Sequence, residues 1–285
     1  MVMIFSSEGI KAGMKKVCTL VAAAFIAAFV YASWQNNDIV LSEYTYESDK
    51  IGPEFDGFKI VQVSDLHSKM FGEHSSILLS MIKEQSPDII VVTGDMVDER
   101  HRGFDTTLEF TREAVKIAPV YFVTGNHEEL LAPIKREAFI SGMTEAGAVF
   151  LNNETVYITR GGERISLSGI RDCDLYSGYL WDIVPKNGGM AILLSHRPQL
   201  AADYAEAGAD LTFCGHAHGG QLRLPFVGGV FAPDQGLFPE YTEGIHYFGE
   251  SATVISRGLG SSSFPIRLNN RPELVAVTLK SGTVE

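Results

Sequence analysis

The chain has 285 residues, 45% of them apolar, and its 35 acidic against 23 basic side chains give a net charge of -12. That length and apolar share suit one substantial α/β core, and so acidic a chain argues against nucleic acid as a main partner. Three cysteines, an odd number in a chain this long, do not make a disulfide scaffold.

Charge is distributed differently at the N-terminus, where Lys11, Lys15 and Lys16 face only Glu8. No charge lies between Lys16 and Asp38, and residues 17–34 are apolar apart from Thr19, Ser33 and small side chains. Such a segment is just long enough to span a bilayer, and its flanking lysines predict a cytoplasmic N-terminus with the rest of the chain outside. Residues 1–37 are therefore expected to be a cytoplasmic tail and transmembrane anchor, with the body on the extracytoplasmic face of the cytoplasmic membrane. A signal segment cleaved near Val30-Tyr31-Ala32, releasing a secreted body, is the alternative. Residues 38–285 then form one domain.

Within that domain, residues 38–46 alternate as an edge strand, and Gly52-Pro53 and Asp56-Gly57 mark turns. The first core strand is expected over 58–64. Residues 75–85 place Ile77, Leu78, Met81 and Ile82 on one helical face before Pro87 ends the helix. The stretch from Asp88 to Asp98 follows, a β-branched run that stops at Gly94-Asp95 and reads as a strand covered on both faces. A helix over 105–117, with Leu108, Ala114, Val115 and Ile117 toward the core, precedes a strand over 120–124. Another helix spans 133–146. Runs at 155–160 and 164–168, joined through Gly161-Gly162, predict an antiparallel hairpin. The α/β rhythm returns with a strand over 190–195, a helix over 199–207 and a strand over 211–214. Beyond Gln221 the chain is rich in Gly and Pro, with short strands near 253–256 and 274–279. This order predicts an α/β fold of two packed, mixed β-sheets flanked by helices.

Five apolar runs end at once in Asp, His or Asn: before Asp65-Leu66-His67, Gly94-Asp95, Gly125-Asn126-His127-Glu128, His196, and Gly215-His216-Ala217-His218. In sheets covered by helices, chemistry gathers beyond the carboxyl ends of strands, so these five ends are expected to meet. A lone histidine is more often structural than a ligand. Together, however, Asp65, His67, Asp95, Asn126, His196, His216 and His218 offer seven oxygen or imidazole donors, more than one metal requires. Two metal ions can share them if one carboxylate bridges.

The series Asp65-x-His67, Gly94-Asp95-x-x-Asp98, Gly125-Asn126-His127-Glu128, His196 and Gly215-His216-x-His218 resembles the calcineurin-like metallophosphoesterases over nearly all of residues 58–280. The run Gly215-His216-Ala217-His218-Gly219-Gly220-Gln221, with Leu224-Pro225 and the later Ser256-Arg257-Gly258-Leu259-Gly260, is similar to a membrane-associated bacterial branch, which usually has Thr where Ala217 stands. The resemblance implies a two-sheet metallophosphoesterase sandwich and a hydrolase cleaving phosphate mono- or diesters by attack of a hydroxide held between two divalent metals, Mn, Fe or Zn. It also implies that Asp65, His67 and His218 hold one metal, that Asn126, His196 and His216 hold the other, and that Asp95 bridges. His127 would bind phosphate and protonate the leaving oxygen, and Asp98 would orient a ligand or a turn.

Where the family often carries Arg, Glu99 stands, followed by Arg100 and His101. Arg257 and Arg267 are candidate phosphate clamps, although solvated surface arginines are the commoner outcome. His74, His101 and His246 fall outside the motifs and are expected at the surface or in the core. Cys214 reads as a small buried hydrophobe, with a bridge to Cys173 left open. A membrane anchor points to a lipid-linked or cell-envelope phosphoester. The aromatic loops near 171–181 and 222–248 are candidates to receive an acyl chain or to pack on themselves. A non-catalytic metal-stabilised scaffold of the same fold is the alternative, and its mark would be lost ligands.

Overall fold

The computed structural model describes residues 7–98, 103–186, 188–261 and 267–282. Glu99, Arg100 and His101 lie outside them. Seven α-helices are described: α1 (Ser7–Asn37), α2 (Ser76–Glu84), α3 (Asp105–Ala114), α4 (Asn126–Glu129), α5 (Pro133–Glu145), α6 (Tyr179–Ile183) and α7 (Ala201–Glu206).

Two six-stranded sheets stack face to face. In chain order the strands are β1 (Val40–Ser48), β2 (Lys59–Val63), β3 (Ile89–Thr93), β4 (Val120–Val123), β5 (Val149–Phe150), β6 (Glu154–Arg160), β7 (Glu163–Gly169), β8 (Ala191–Leu194) and β9 (Leu211–Cys214). Four two-residue strands follow, β10 (Arg223–Leu224), β11 (Gly228–Gly229), β12 (Phe231–Ala232) and β13 (Gly236–Leu237), and then β14 (Gly244–Phe248), β15 (Ser251–Ile255) and β16 (Glu273–Ser281). The first sheet runs β1-β16-β2-β3-β4-β5 and the second β14-β15-β9-β8-β7-β6; the short strands pair as two ribbons, β10-β11 and β12-β13. Both sheets are mixed, since β16 is antiparallel to β2, β6 to β7 and β14 to β15, while the central strands are parallel.

The continuous apolar runs are explained by where alternate side chains go, because successive residues of a strand point to opposite faces. On β3, Ile90 and Val92 pack outward against α3 and α5 with Phe110 and Phe139, while Ile89 and Val91 point into the layer between the sheets. On β8, Ile192 and Leu194 meet that same layer, and Ala191 and Leu193 face Leu180 of α6 and Tyr204 of α7. Each central strand is thus buried on both sides.

The edge strand expected near residue 40 is β1, and the hairpin through Gly161-Gly162 is β6-β7. On α2 only Leu78 and Ile82, one helical turn apart, are fully buried, whereas Ile77 is 53% exposed because it lies off that line. Strand β14 and the two ribbons were not foreseen. Cys214 is buried and Cys173 exposed, and both are free thiols.

Helix α1 contains a stretch, Gly13–Asn37, long and apolar enough to cross a membrane. Its large side chains, among them Leu20, Phe25, Ile26 and Phe29, are uncovered. The helix reaches β1 with only Asp38 and Ile39 between them.

Candidate metal centre

The two sheets bring their carboxyl ends together, and the loops leaving those ends stay in register beyond the strands. Asp65 N donates to Gly94 O (3.0 Å), His67 N to Asp95 O (3.0 Å) and Gly215 N to His196 O (3.0 Å). Asp65, His67, Asp95, His216 and His218 all have φ between 48° and 66°. This left-handed backbone is costly for residues with a Cβ and persists where surrounding structure enforces it. Here it turns each donor side chain back over the strand ends. Close approach is secured by glycine: a Cβ on Gly94 would lie 2.5 Å from Gly125 N, and one on Gly215 2.0 Å from Ser64 Oγ.

The seven predicted donors meet. Asp65, His67, Asp95 and His218 form one buried group, and Asp95, His196 and His216 another. In the first, His67 Nε2 lies 3.3 Å from His218 Nε2, which is 3.4 Å from Asp65 Oδ1. In the second, His196 Nε2 lies 3.2 Å from both Asn126 Oδ1 and His216 Nδ1. Asp95 Oδ2 stands between the groups, 3.3 Å from His196 Nε2 and 3.8 Å from His67 Nε2. Its other oxygen accepts from His127 N at 2.8 Å.

Proton bookkeeping shows what the second group is built to hold. His196 Nδ1 donates to Thr93 O at 2.7 Å, and His216 Nε2 donates to Asp234 Oδ2 at 2.9 Å. In its neutral form each ring therefore has its one hydrogen on the far nitrogen. His196 Nε2, His216 Nδ1, Asn126 Oδ1 and Asp95 Oδ2 then face one another; against the effect of burial, the Asp95 carboxylate raises His196 to about 10, so that without a cation a proton on His196 Nε2 supplies the positive charge among them. A divalent cation can take the place of that proton and receive a lone pair from each of the four. Burial lowers His67 and His216 to about 4, which keeps both imidazoles unprotonated at neutral pH, and it raises the Asp65 carboxyl to about 6. Imidazole, carboxamide and carboxylate donors of this kind fit Mn, Fe or Zn, and no thiolate is near.

His127 sits at the rim, 9% exposed, with Nδ1 lacking a partner and Nε2 4.0 Å from Asp95 Oδ2. Asp98 is buried and shares a group with His67 and His127. The candidate clamps have other partners. Arg267 is buried and donates to Gly260 O and Arg257 O, and Arg257 lies between Glu243 and Glu273. Both guanidiniums brace the loop after β15 rather than standing free over the donor cluster. His74 is exposed beside Glu109, and the ring of His246 packs against that of Tyr241.

Three contributors escaped the sequence reading. Glu128 is fully buried and accepts from the backbone N–H groups of Asp95 (2.8 Å), Val97 (3.1 Å) and Gly125 (2.8 Å), locking the loops after β3 and β4 together. Burial and then the neighbouring Asp95 raise its carboxyl to about 8. Asp234, in the turn of the β12-β13 ribbon, fixes His216, and Arg197 bridges Asp234 to Asp172. Glu128 lies inside a motif that already signalled importance. Asp234 and Arg197 carry no local signal.

Residues 58–220 match the family model of the calcineurin-like phosphoesterases, and the chain belongs to that family. It is 32% identical to the uncharacterized metallophosphoesterase YkuE of Bacillus subtilis, over 85% of this chain and 86% of that protein. It is also 32% identical to the phosphodiesterase YaeI of Escherichia coli, over 78% and 82% respectively. A zebrafish transmembrane protein with a metallophosphoesterase domain is 27% identical over 81% of this chain and 55% of its own length.

Proposed function

We propose that the chain is a binuclear metal-dependent phosphoesterase, anchored by α1 in the cytoplasmic membrane with residues 38–285 on the extracytoplasmic face as its catalytic domain. The reading is carried by the mutual approach of Asp95, Asn126, His196 and His216, with the far ring nitrogens of both histidines already bonded to Thr93 O and Asp234 Oδ2, an arrangement that a cation fits. Asp65, His67 and His218 would hold a first metal, Asn126, His196 and His216 a second, and Asp95 would bridge them. Bound divalent cations acidify water toward neutral pH and offset the charge that builds on phosphoryl oxygens. His127, 9% exposed with Nε2 4.0 Å from Asp95 Oδ2, orients the phosphate and delivers a proton to the departing oxygen. Glu128 holds the two loops that carry Asp95 and Asn126 at fixed separation. All seven donors and His127 are retained, which favours an enzyme over a scaffold.

The substrate proposed is a lipid-linked or cell-envelope phosphoester, because the anchor keeps the site at a membrane surface. Its relative YaeI, a phosphodiesterase, favours a diester. The test uses the full chain in detergent, stripped of metal and restored with Mn, Fe or Zn, and assayed on a chromogenic phosphodiester beside the matching monoester. Metal-dependent turnover of either ester supports the proposal. Two bound metals per chain with neither these esters nor a lipid phosphoester cleaved would sink it.

A further inference from the structure

We propose that the two ribbons following the metal centre form a second membrane contact, seating their apolar tips in the interfacial layer of the bilayer that α1 crosses. Leu224, Phe226 and Val227 at the β10-β11 turn, with Phe231, Leu237 and Phe238 on the next ribbon, are exposed by 46% or more, and Phe226 is fully exposed. Six large apolar side chains within 15 residues make a patch of a kind that soluble surfaces rarely leave uncovered. The two charged residues within 223–238 are both paired. Arg223 pairs with Glu243, and Asp234 with Arg197 and His216.

What covers this patch follows from its attachment to α1. Tyr31, two turns before the end of the helix, donates from its hydroxyl to Asn269 Oδ1 (2.6 Å), and Asn269 Nδ2 donates to Arg223 O (3.2 Å) on β10. Arg223 N in turn donates to Leu268 O at 3.0 Å. The ribbon is therefore fixed at the level of Tyr31 and Trp34, the aromatic pair that closes the apolar stretch. Tyr and Trp at the end of a spanning helix mark the headgroup layer. A ribbon held at that depth, apolar at its tips and neutral overall, meets lipid rather than water, and side chains of this type favour partial burial there. The ribbon is also tied to the metal centre: the Arg223 side chain donates through Nη1 to Gly219 O, beside His218, and Asn270, next to the Asn269 that bonds Arg223 O, donates through Nδ2 to His218 O. The site then opens at headgroup height, where a phosphoester on a lipid lies. This inference rests on α1 crossing the membrane.

The test places nitroxides on the full chain in phosphatidylethanolamine–phosphatidylglycerol vesicles, with Cys18 and Cys173 replaced by Ser, at Phe226→Cys, Leu237→Cys, Phe25→Cys within α1, and Tyr157→Cys on the remote edge strand β6. Collision rates with oxygen and with a water-soluble nickel chelate are compared at each position. Labels at 226 and 237 are expected to favour oxygen several-fold, as the label at 25 does, while that at 157 favours nickel. Nickel-favoured collisions at 226 and 237 with an oxygen-favoured 25 would overturn the docking alone; an aqueous label at 25 as well would overturn the spanning helix and the docking together. Shielding at 226 from both reagents, with spin–spin broadening that grows with protein-to-lipid ratio, would replace the bilayer by a second copy of the chain. A chain that hydrolyses no ester leaves these signatures unchanged, which separates this inference from the phosphoesterase reading.

Discussion

At the scale of single residues, the site separates holding from acting. His127 contributes its side chain to neither of the two groups that share Asp95, and its backbone N–H is already taken by Asp95. His127→Ala should therefore leave metal content intact while lowering kcat on the chromogenic diester about a hundred- to ten-thousand-fold. Elemental analysis beside kinetics checks this, and loss of metal together with activity would reassign the residue to ligation. Asp234 acts through another side chain. By accepting from His216 Nε2 it leaves Nδ1 as the ring nitrogen that would face a bound cation, the usual role of a carboxylate behind a metal-bound histidine. Asp234→Asn should weaken metal affinity about 10–100-fold, with activity recovering as metal is raised; a kcat deficit that saturating metal does not repair would place Asp234 against the substrate instead. The seven donors were legible because each lies within a few residues of the end of an apolar run. Asp234 was not, since it lies 16 residues beyond His218 in a Gly- and Pro-rich tract where neither periodicity nor a motif marks it.

At the scale of elements, the loops after the strands are over-determined. Gly94 has φ +91°, and a Cβ there would meet the backbone of Gly125 at 2.5 Å, with His196 Nδ1 at 2.9 Å. No side-chain rotation relieves contact with a backbone atom. Gly94→Ala should destabilise the fold by about 3 kcal/mol, combining left-handed strain with overpacking, and should impair metal binding; an unchanged thermal midpoint would show that the two loops yield. The same physics decides which elements a sequence reveals. Strands β2, β3, β4, β8 and β9 are buried on both faces and announce themselves as apolar runs, interrupted only by Gln62 in β2 and Thr212 in β9, that close on Gly or a polar residue. The hairpin β6-β7 shows through its glycine turn. Ribbons β10 to β13, two residues a strand, are too short for any period to appear, and their backbone pairing is fixed by the metal-ligand loop and by Leu268, far along the chain. Likewise α2 presents five apolar residues, but only the two on the inward line are buried.

At the scale of the molecule, the apolar helix and the domain make one continuous object. Tyr31 bonds to Asn269, Asn36 Oδ1 accepts from Arg267 N (3.1 Å), Lys69 donates to Asn36 O, and Arg271 lies 5.2 Å over the Trp34 ring while pairing with Asp38. Single exposed pairs of this kind contribute little. Here several act across one junction that is only two residues long, and that sets the orientation of the domain to the helix rather than its mere proximity. A tethered site gains on a membrane-borne substrate through effective concentration, and the gain is lost when geometry forbids engagement. Inserting a Gly-Ser spacer after Asn37 in a Tyr31→Phe, Arg271→Ala background keeps the tether and removes the orientation. None of these changes removes one of the seven donors or His127, so turnover of a soluble chromogenic ester in detergent should match the parent. Cleavage of a phosphoester carried in the same vesicles should fall about tenfold, the order expected when a linked site samples many orientations of which few are productive. Equal loss on both substrates would point to damage in the fold, and no loss on either would show that the anchor acts as a tether alone.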